Sequence, residues 1–149
     1  MFKNLKNFFN EAQKKDPNKI EYLDNDIYAV LSLLIEASKI DGKIDLDEIG
    51  LIKELLIKKF HLNHSKATMA INHVIKESDN KVEIYSDIKV ILDNMDHEQR
   101  ITVIEMLWSV IIADDKVDEY ESNLLRRICG LLHISGKESS EAKRKVSGK

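Results

Sequence analysis

The residues best suited to chemistry in this chain are acidic, and they occur in two copies that lie 73 positions apart. Three carboxylates that converge with backbone carbonyls can bind a hard divalent cation such as Ca²⁺ or Mg²⁺. The sequence therefore predicts a divalent-cation site in each copy, with this cation as the candidate cofactor. The candidate metal ligands are Asp41, Asp45 and Glu48 in the first copy and Asp114, Asp118 and Glu121 in the second.

The same residues also have a purely structural interpretation. Asp45 and Glu48, like Asp118 and Glu121, have the three-residue separation of a capping box at a helix N-terminus. A carboxylate that accepts a backbone hydrogen bond retains lone pairs for a metal, so the two interpretations are compatible. Because capping alone explains the middle aspartate of each copy, the first aspartate and the glutamate are the sharper functional candidates.

Other kinds of site find little support in the sequence. The acidic copies are not EF-hand loops, because Lys43 stands at the third position and Gly42 at the second rather than the sixth. His61 and His64 lack a third ligand at zinc spacing, and Cys129 lies on an apolar helical stripe without an activating base. The chain has no glycine-rich phosphate loop and no nucleophile elbow. We therefore expect a protein that is not an enzyme.

Composition indicates a soluble, intracellular protein. The 149 residues are 43% hydrophobic and 33% charged, which is typical of one globular domain with a real core. A net charge of −3 does not indicate a nucleic-acid partner. The single cysteine allows no internal disulfide, and the apolar runs are too short to cross a bilayer. These properties predict a cytoplasmic protein.

Apolar residues recur at helical spacing almost throughout, and the only proline is Pro17. The pattern predicts an all-α fold: a single compact domain of about seven helices. Capping boxes are expected at 96–99 and 135–138, and the apolar helix after Asp96 is expected to be central. The last helix is expected to be short or frayed. Another helix is predicted from about Asp24 or Asp26 to Lys39, and a further one over 82–94 with Tyr85 on its apolar stripe. The remaining helices are predicted to begin at Asp45, at Asn63 or Ser65, and at Asp118.

Three regions follow from this pattern. Residues 1–19 are predicted to be an amphipathic helix and linker, 20–140 the helical domain, and 141–149 a flexible tail that includes a solvated basic run at 143–145. The apolar stripe of the first helix contains Phe2, Leu5, Phe8 and Phe9. It can contact a membrane, which we expect only through residues 1–15, or fold back over a groove of the domain itself.

The acidic copies lie in matching apolar surroundings, which indicates an internal duplication. The same offset pairs Leu31 with Ile104 and Leu34 with Leu107 ahead of the two copies. Repetition of both the apolar and the acidic positions predicts a pseudo-twofold pair of helix-turn-helix units.

The two copies, from Ile40 to Glu48 and from Ala113 to Glu121, resemble the tellurite-resistance TerB family, and in particular its small uncharacterised bacterial members. The similarity covers about residues 20–140. It implies an all-helical, pseudo-symmetric fold related to the N-terminal domain of a DnaJ-like co-chaperone. It also implies divalent-metal binding by acidic surface residues and a role in tellurite or other stress responses. Asp115 departs from the family pattern, in which glycine is usual.

Two functions remain open on the sequence. The first is a non-enzymatic, TerB-like protein that binds a divalent metal in a bacterial stress response. The alternative is a protein–protein interaction module that uses its acidic loops without metal. In both cases we expect a protein partner.

Overall fold

The computed structural model of the protein describes residues 25–39, 44–78, 84–113 and 119–148, which form seven α-helices and no strand. The predicted all-α fold class is thus confirmed. The predictions for residues 1–24 lie outside the described residues. The helices are α1 (Asn25–Ser38), α2 (Leu46–Phe60), α3 (His64–Ser78), α4 (Tyr85–Asn94), α5 (His97–Ala113), α6 (Glu119–Leu131) and α7 (Gly136–Ser147).

Helix α1 lies at the centre of the domain and packs against α2, α3, α4, α5 and α6. It is apolar on most sides, as its fully buried residues Ile27, Leu31 and Leu34 illustrate. Helix α5, the predicted central helix, packs against α1, α2, α6 and α7, and its Ile104 and Leu107 are fully buried. These two helices together form the centre of the core.

The offset of 73 therefore pairs residues with the same burial, because Leu31, Leu34, Ile104 and Leu107 are all inaccessible to solvent. Each apolar helix is followed along the chain by one acidic copy and then by another helix, α2 after α1 and α6 after α5. The pseudo-twofold relation between the two pairs stays a prediction.

Helices α3 and α5 begin next to the capping residues predicted from the sequence. The Asp96 Oδ1 atom accepts from the Gln99 backbone N–H at 2.9 Å, and Gln99 Oε1 accepts from the Asp96 backbone N–H at 2.9 Å. Asn63 Oδ1 accepts from the Lys66 backbone N–H at 2.8 Å at the start of α3. These bonds satisfy N–H groups that have no partner within the helix, and they fix where each helix begins.

The prediction of a short or frayed last helix is wrong. Helix α7 has 12 residues and crosses the predicted boundary at residue 140. It has the most extensive contact of any helix pair in the described chain, with α5. Polar residues supply much of this contact: the Trp108 indole N–H donates to Ser139 Oγ at 3.1 Å, and Lys145 Nζ lies 3.3 Å from Glu105 Oε2. Hydrophobic periodicity underestimates a helix that packs through polar groups.

Two smaller expectations also need correction. The placement of Tyr85 on the apolar stripe of α4 is wrong, because 46% of its surface is exposed. The Arg127 guanidinium lies over the Tyr85 ring, 5.4 Å from the ring centroid. The basic run at 143–145 is not simply solvated, because Lys143 Nζ lies 5.0 Å from the Trp108 ring centroid. Among the described residues, no helix is long and apolar enough to cross a membrane.

Candidate functional site

The first acidic copy surrounds the N-terminus of α2, where Asp45 is the N-cap residue. Its backbone is extended (φ −90°, ψ 170°), and its Oδ1 atom accepts from the Glu48 backbone N–H at 2.9 Å. The capping role predicted for Asp45 is therefore confirmed. The Asp45 side chain is nevertheless exposed, so its carboxylate caps the helix from the solvent side and retains lone pairs for a cation.

Glu48 occupies the first turn of α2 and is buried, with 9% of its surface exposed. A carboxylate here is favoured by the positive end of the helix dipole, which offsets part of the cost of desolvation. It also makes at least one interaction with other groups of the protein. Asp45 and Glu48 thus place one exposed and one buried carboxylate at the same helix end.

The second copy is described only from α6 onward. Glu121 lies in the first turn of α6 with 2% of its surface exposed, so it is even more buried than Glu48. Asp114 and Asp118 lie outside the described residues, as does Asp41 of the first copy. The structure therefore locates Asp45, Glu48 and Glu121, and the convergence of three carboxylates in each copy stays a prediction.

The donor set fits a hard cation better than a soft one. Asp45 and Glu48 supply oxygen ligands of the kind that Ca²⁺ and Mg²⁺ prefer, and neither has a histidine or cysteine three or four residues away in α2. Among the described residues, no group of three His, Cys, Asp or Glu side chains could hold a metal ion. A complete site would need the aspartate that begins each copy.

His61, His64 and Cys129 occupy positions that fit a structural role. His61 ends α2 in the left-handed conformation (φ 60°), and both it and His64 are exposed. Cys129 is buried, as predicted; burial raises the pKa of its thiol, and a hydrogen bond with Ser139 partly opposes that rise. A buried thiol with a raised pKa is a poor nucleophile at neutral pH.

Sequence periodicity missed one residue at this helix end. Leu46, the first residue of α2, is 84% exposed and lies between Asp45 and Asp47, both of which are also exposed. It is the most exposed large hydrophobic side chain in the described chain.

A model of the family described as tellurite resistance protein TerB matches residues 28–144. The chain belongs to the TerB family. The match begins within α1 and ends within α7, so it includes both acidic copies and helices α2 to α6 completely. The resemblance predicted from the two acidic copies is thus confirmed over most of the chain. Searches of curated proteins and of solved structures gave no match.

Proposed function

We propose that this TerB-family chain is a non-enzymatic protein that binds a divalent cation, Ca²⁺ or Mg²⁺, through its acidic copies in a bacterial stress response of the tellurite-resistance type. Membership of the TerB family supports the tellurite-resistance part of this proposal. The placement of Asp45 and Glu48 at one helix end supports the cation part. The residues that would hold the ion are Asp41, Asp45 and Glu48 in the first copy and Asp114, Asp118 and Glu121 in the second.

The observation that carries the cation proposal is the hydrogen bond from the Glu48 backbone N–H to Asp45 Oδ1. This bond fixes the Asp45 carboxylate at the surface, directly beside the first turn that contains the Glu48 side chain. A preformed ligand loses less conformational entropy on binding an ion than one that must first be ordered. Addition of Asp41, four residues earlier in the chain, would then complete a three-carboxylate site.

A cation bound in this position would connect Asp41, which lies between α1 and α2 in the chain, to the start of α2. Because α1 is central and also packs against α2, such a bridge would restrain the angle between these helices. A change in that angle is a signal that a partner protein can recognise. In this proposal the family's stress response would use the ion as a structural switch rather than as a catalyst.

The test is a titration of the full chain with MgCl₂, CaCl₂ and ZnCl₂, followed by backbone amide NMR shifts. We expect saturable shifts around Asp45, Glu48 and Glu121 with the first two salts. The double substitution Asp41→Asn with Asp114→Asn should abolish them. Asp47→Asn is the matched control, because Asp47 is an exposed acid of the same first turn but not one of the proposed ligands. Silent amides at millimolar ion would refute metal binding.

The exposure of Leu46 favours the second candidate function, docking of a protein partner without metal. An exposed apolar side chain between Asp45 and Asp47 suits a segment that contains both apolar and basic residues. The distinguishing experiment is a pull-down with the full chain in the presence of a chelator. Metal-free docking requires a partner that is retained under chelation but lost with Leu46→Ser and with Asp41→Ala plus Asp114→Ala.

A further inference from the structure

A cleft of about 340 Å³ lies between α2, the end of α5 and the end of α7. Much of its lining is apolar, and Leu51, Ile112 and Val146 in that lining are only half-buried. All three line the cleft, and Leu51 also packs against the core. Because apolar surface gains stability when water is removed from it, the cleft is suited to an apolar occupant.

The chain itself contains a segment with the required chemistry. Three of its four phenylalanines are Phe2, Phe8 and Phe9, and these share one face of a predicted helix with Leu5. The fourth, Phe60, is buried in the core with 2% of its surface exposed. An aromatic stripe of this size is an unusual composition for a segment that remains in water.

The segment is also long enough to reach the cleft. The 12 residues from 13 to 24 can span up to about 40 Å when extended. Helix α1, which begins at Asn25, is about 20 Å long and packs against both α2 and α5. The connection therefore allows residues 2–12 to lie in the cleft whichever end of α1 is nearer to it.

Charges at the cleft match those of the segment. Glu54 and Lys58 line the cleft and are four residues apart, so they project from the same face of α2. In the segment, Lys6 lies beside the apolar stripe. A helix docked in the cleft can thus place Lys6 next to Glu54.

We propose that residues 2–12 dock as an amphipathic helix in the cleft between α2, α5 and α7, with the phenylalanine stripe against Leu51, Ile112 and Val146. Attachment through residues 13–24 makes this contact intramolecular, and the effective concentration of a short tether favours it over association with a separate molecule. The docked helix would cover the end of α7 and bridge it to α2.

The experiment measures paramagnetic relaxation in the full chain. Cys129 is replaced by serine, and a nitroxide is attached through Asn7→Cys, on the face opposite the phenylalanine stripe. We expect selective broadening of methyl signals from Leu51, Ile112 and Val146. Methyl groups of Ile88 and Ile91 serve as internal references, because α4 packs against α1 and does not line the cleft.

The double substitution Phe8→Ser with Phe9→Ser should abolish the broadening, whereas Asn10→Ser on the polar face should preserve it. Both changes lie outside the described helices. Uniform or absent broadening would overturn the proposal. Broadening in a mixture of nitroxide-bearing and isotope-labelled chains would also overturn it and assign the cleft to a second copy. Co-sedimentation with phosphatidylglycerol vesicles, without broadening in buffer, would assign the segment to a membrane.

Discussion

Glu48 and Glu121 occupy the same position in their helices: each is the third residue, each is buried, and they lie 73 positions apart in the chain. Both side chains also interact with other groups of the protein. Burial of a carboxylate is costly unless its charge is compensated. This costly placement of a carboxylate is repeated at two helix starts.

Substitution of Glu48 by glutamine should distinguish a structural role from a role as a cation ligand. Glutamine preserves the shape and one oxygen acceptor but removes the negative charge that attracts a cation. If Glu48 is a ligand, Glu48→Gln should weaken Mg²⁺ or Ca²⁺ binding at the first copy by about tenfold or more. Glu121→Gln should do the same at the second copy alone. Isothermal titration calorimetry with site assignment by amide shifts measures both effects.

Glu54→Gln is the matched control, because Glu54 is an exposed glutamate of α2 outside the acidic copies. It should leave cation affinity unchanged. A purely structural role would show the reverse pattern, with Glu48→Gln lowering the unfolding free energy and leaving the titration unaltered. That result would remove Glu48 from the proposed site.

The N-cap of α2 gives a stability prediction that does not depend on metal. Asp45→Ala removes the acceptor of the Glu48 backbone N–H and should lower the free energy of unfolding by about 1 kcal/mol. Asp45→Ser keeps an acceptor at this position and should recover most of the loss. Urea denaturation without divalent ions measures the difference. Equal stability of the alanine and serine variants would show that the cap contributes little.

The fold was largely predictable because local chemistry determines it. The capping pair of Asp96 and Gln99 and the wide apolar surface of α5 are readable from residue types and spacing alone. Contacts between distant residues were not readable. Helix α7 buries little apolar surface beyond Ala142, and its partners on α5 are more than thirty positions away in the chain. Hydrophobic periodicity identifies the apolar face of a helix. It gives no information on polar partners that are distant in the chain.

The candidate site was predictable in part. The sequence identified Asp45 as a cap, and it paired Glu48 with Glu121 through the offset of 73. It gave no signal for the exposure of Leu46, because an apolar residue after a cap fits the buried stripe equally well. Whether the acidic side chains converge depends on backbone angles in the turns, which residue types alone do not determine.

The attachment of α7 should depend on pH through Glu138. Its carboxylate pairs with the His97 ring and accepts from the Ser135 backbone N–H, and these bonds lower the pKa of Glu138 from an ordinary 4.5 to about 2. Because the pKa is lowered in the folded state, the stabilisation is fully present above about pH 4.5. It should be lost as the pH falls from 4.5 towards 2.

Unfolding followed between pH 2 and 6 measures this contribution. The difference in unfolding free energy between the unmodified chain and Glu138→Gln should be largest near pH 6. It should shrink as the pH falls from 4.5 towards 2. Glu141→Gln is the control, because Glu141 lies on the same helix and is exposed. A difference that stays constant with pH would show that the charge of Glu138 does not help to hold α7.

Ser139 connects α7 to both α5 and α6, since its hydroxyl accepts from the Trp108 indole N–H and also makes a hydrogen bond with Cys129. Ser139→Ala should destabilise the domain by about 1 kcal/mol, because the half-buried indole N–H loses its partner. It should also raise the pKa of Cys129 further and slow reaction of the thiol with a disulfide reagent. Trp108 is the only tryptophan, so its fluorescence reports unfolding directly. Unchanged stability together with faster thiol modification would contradict this role.

Two leucines provide a final comparison between the core and the acidic surface. Leu34 is fully buried in α1, whereas Leu46 is 84% exposed at the start of α2. Leu34→Ala leaves a cavity in close-packed surroundings and should cost about 2–5 kcal/mol of unfolding free energy, whereas Leu46→Ala should change it by less than about 0.5 kcal/mol. Chemical denaturation measures both. A large loss from Leu46→Ala would show that this side chain stabilises the protein, and its exposure would no longer support a docking role.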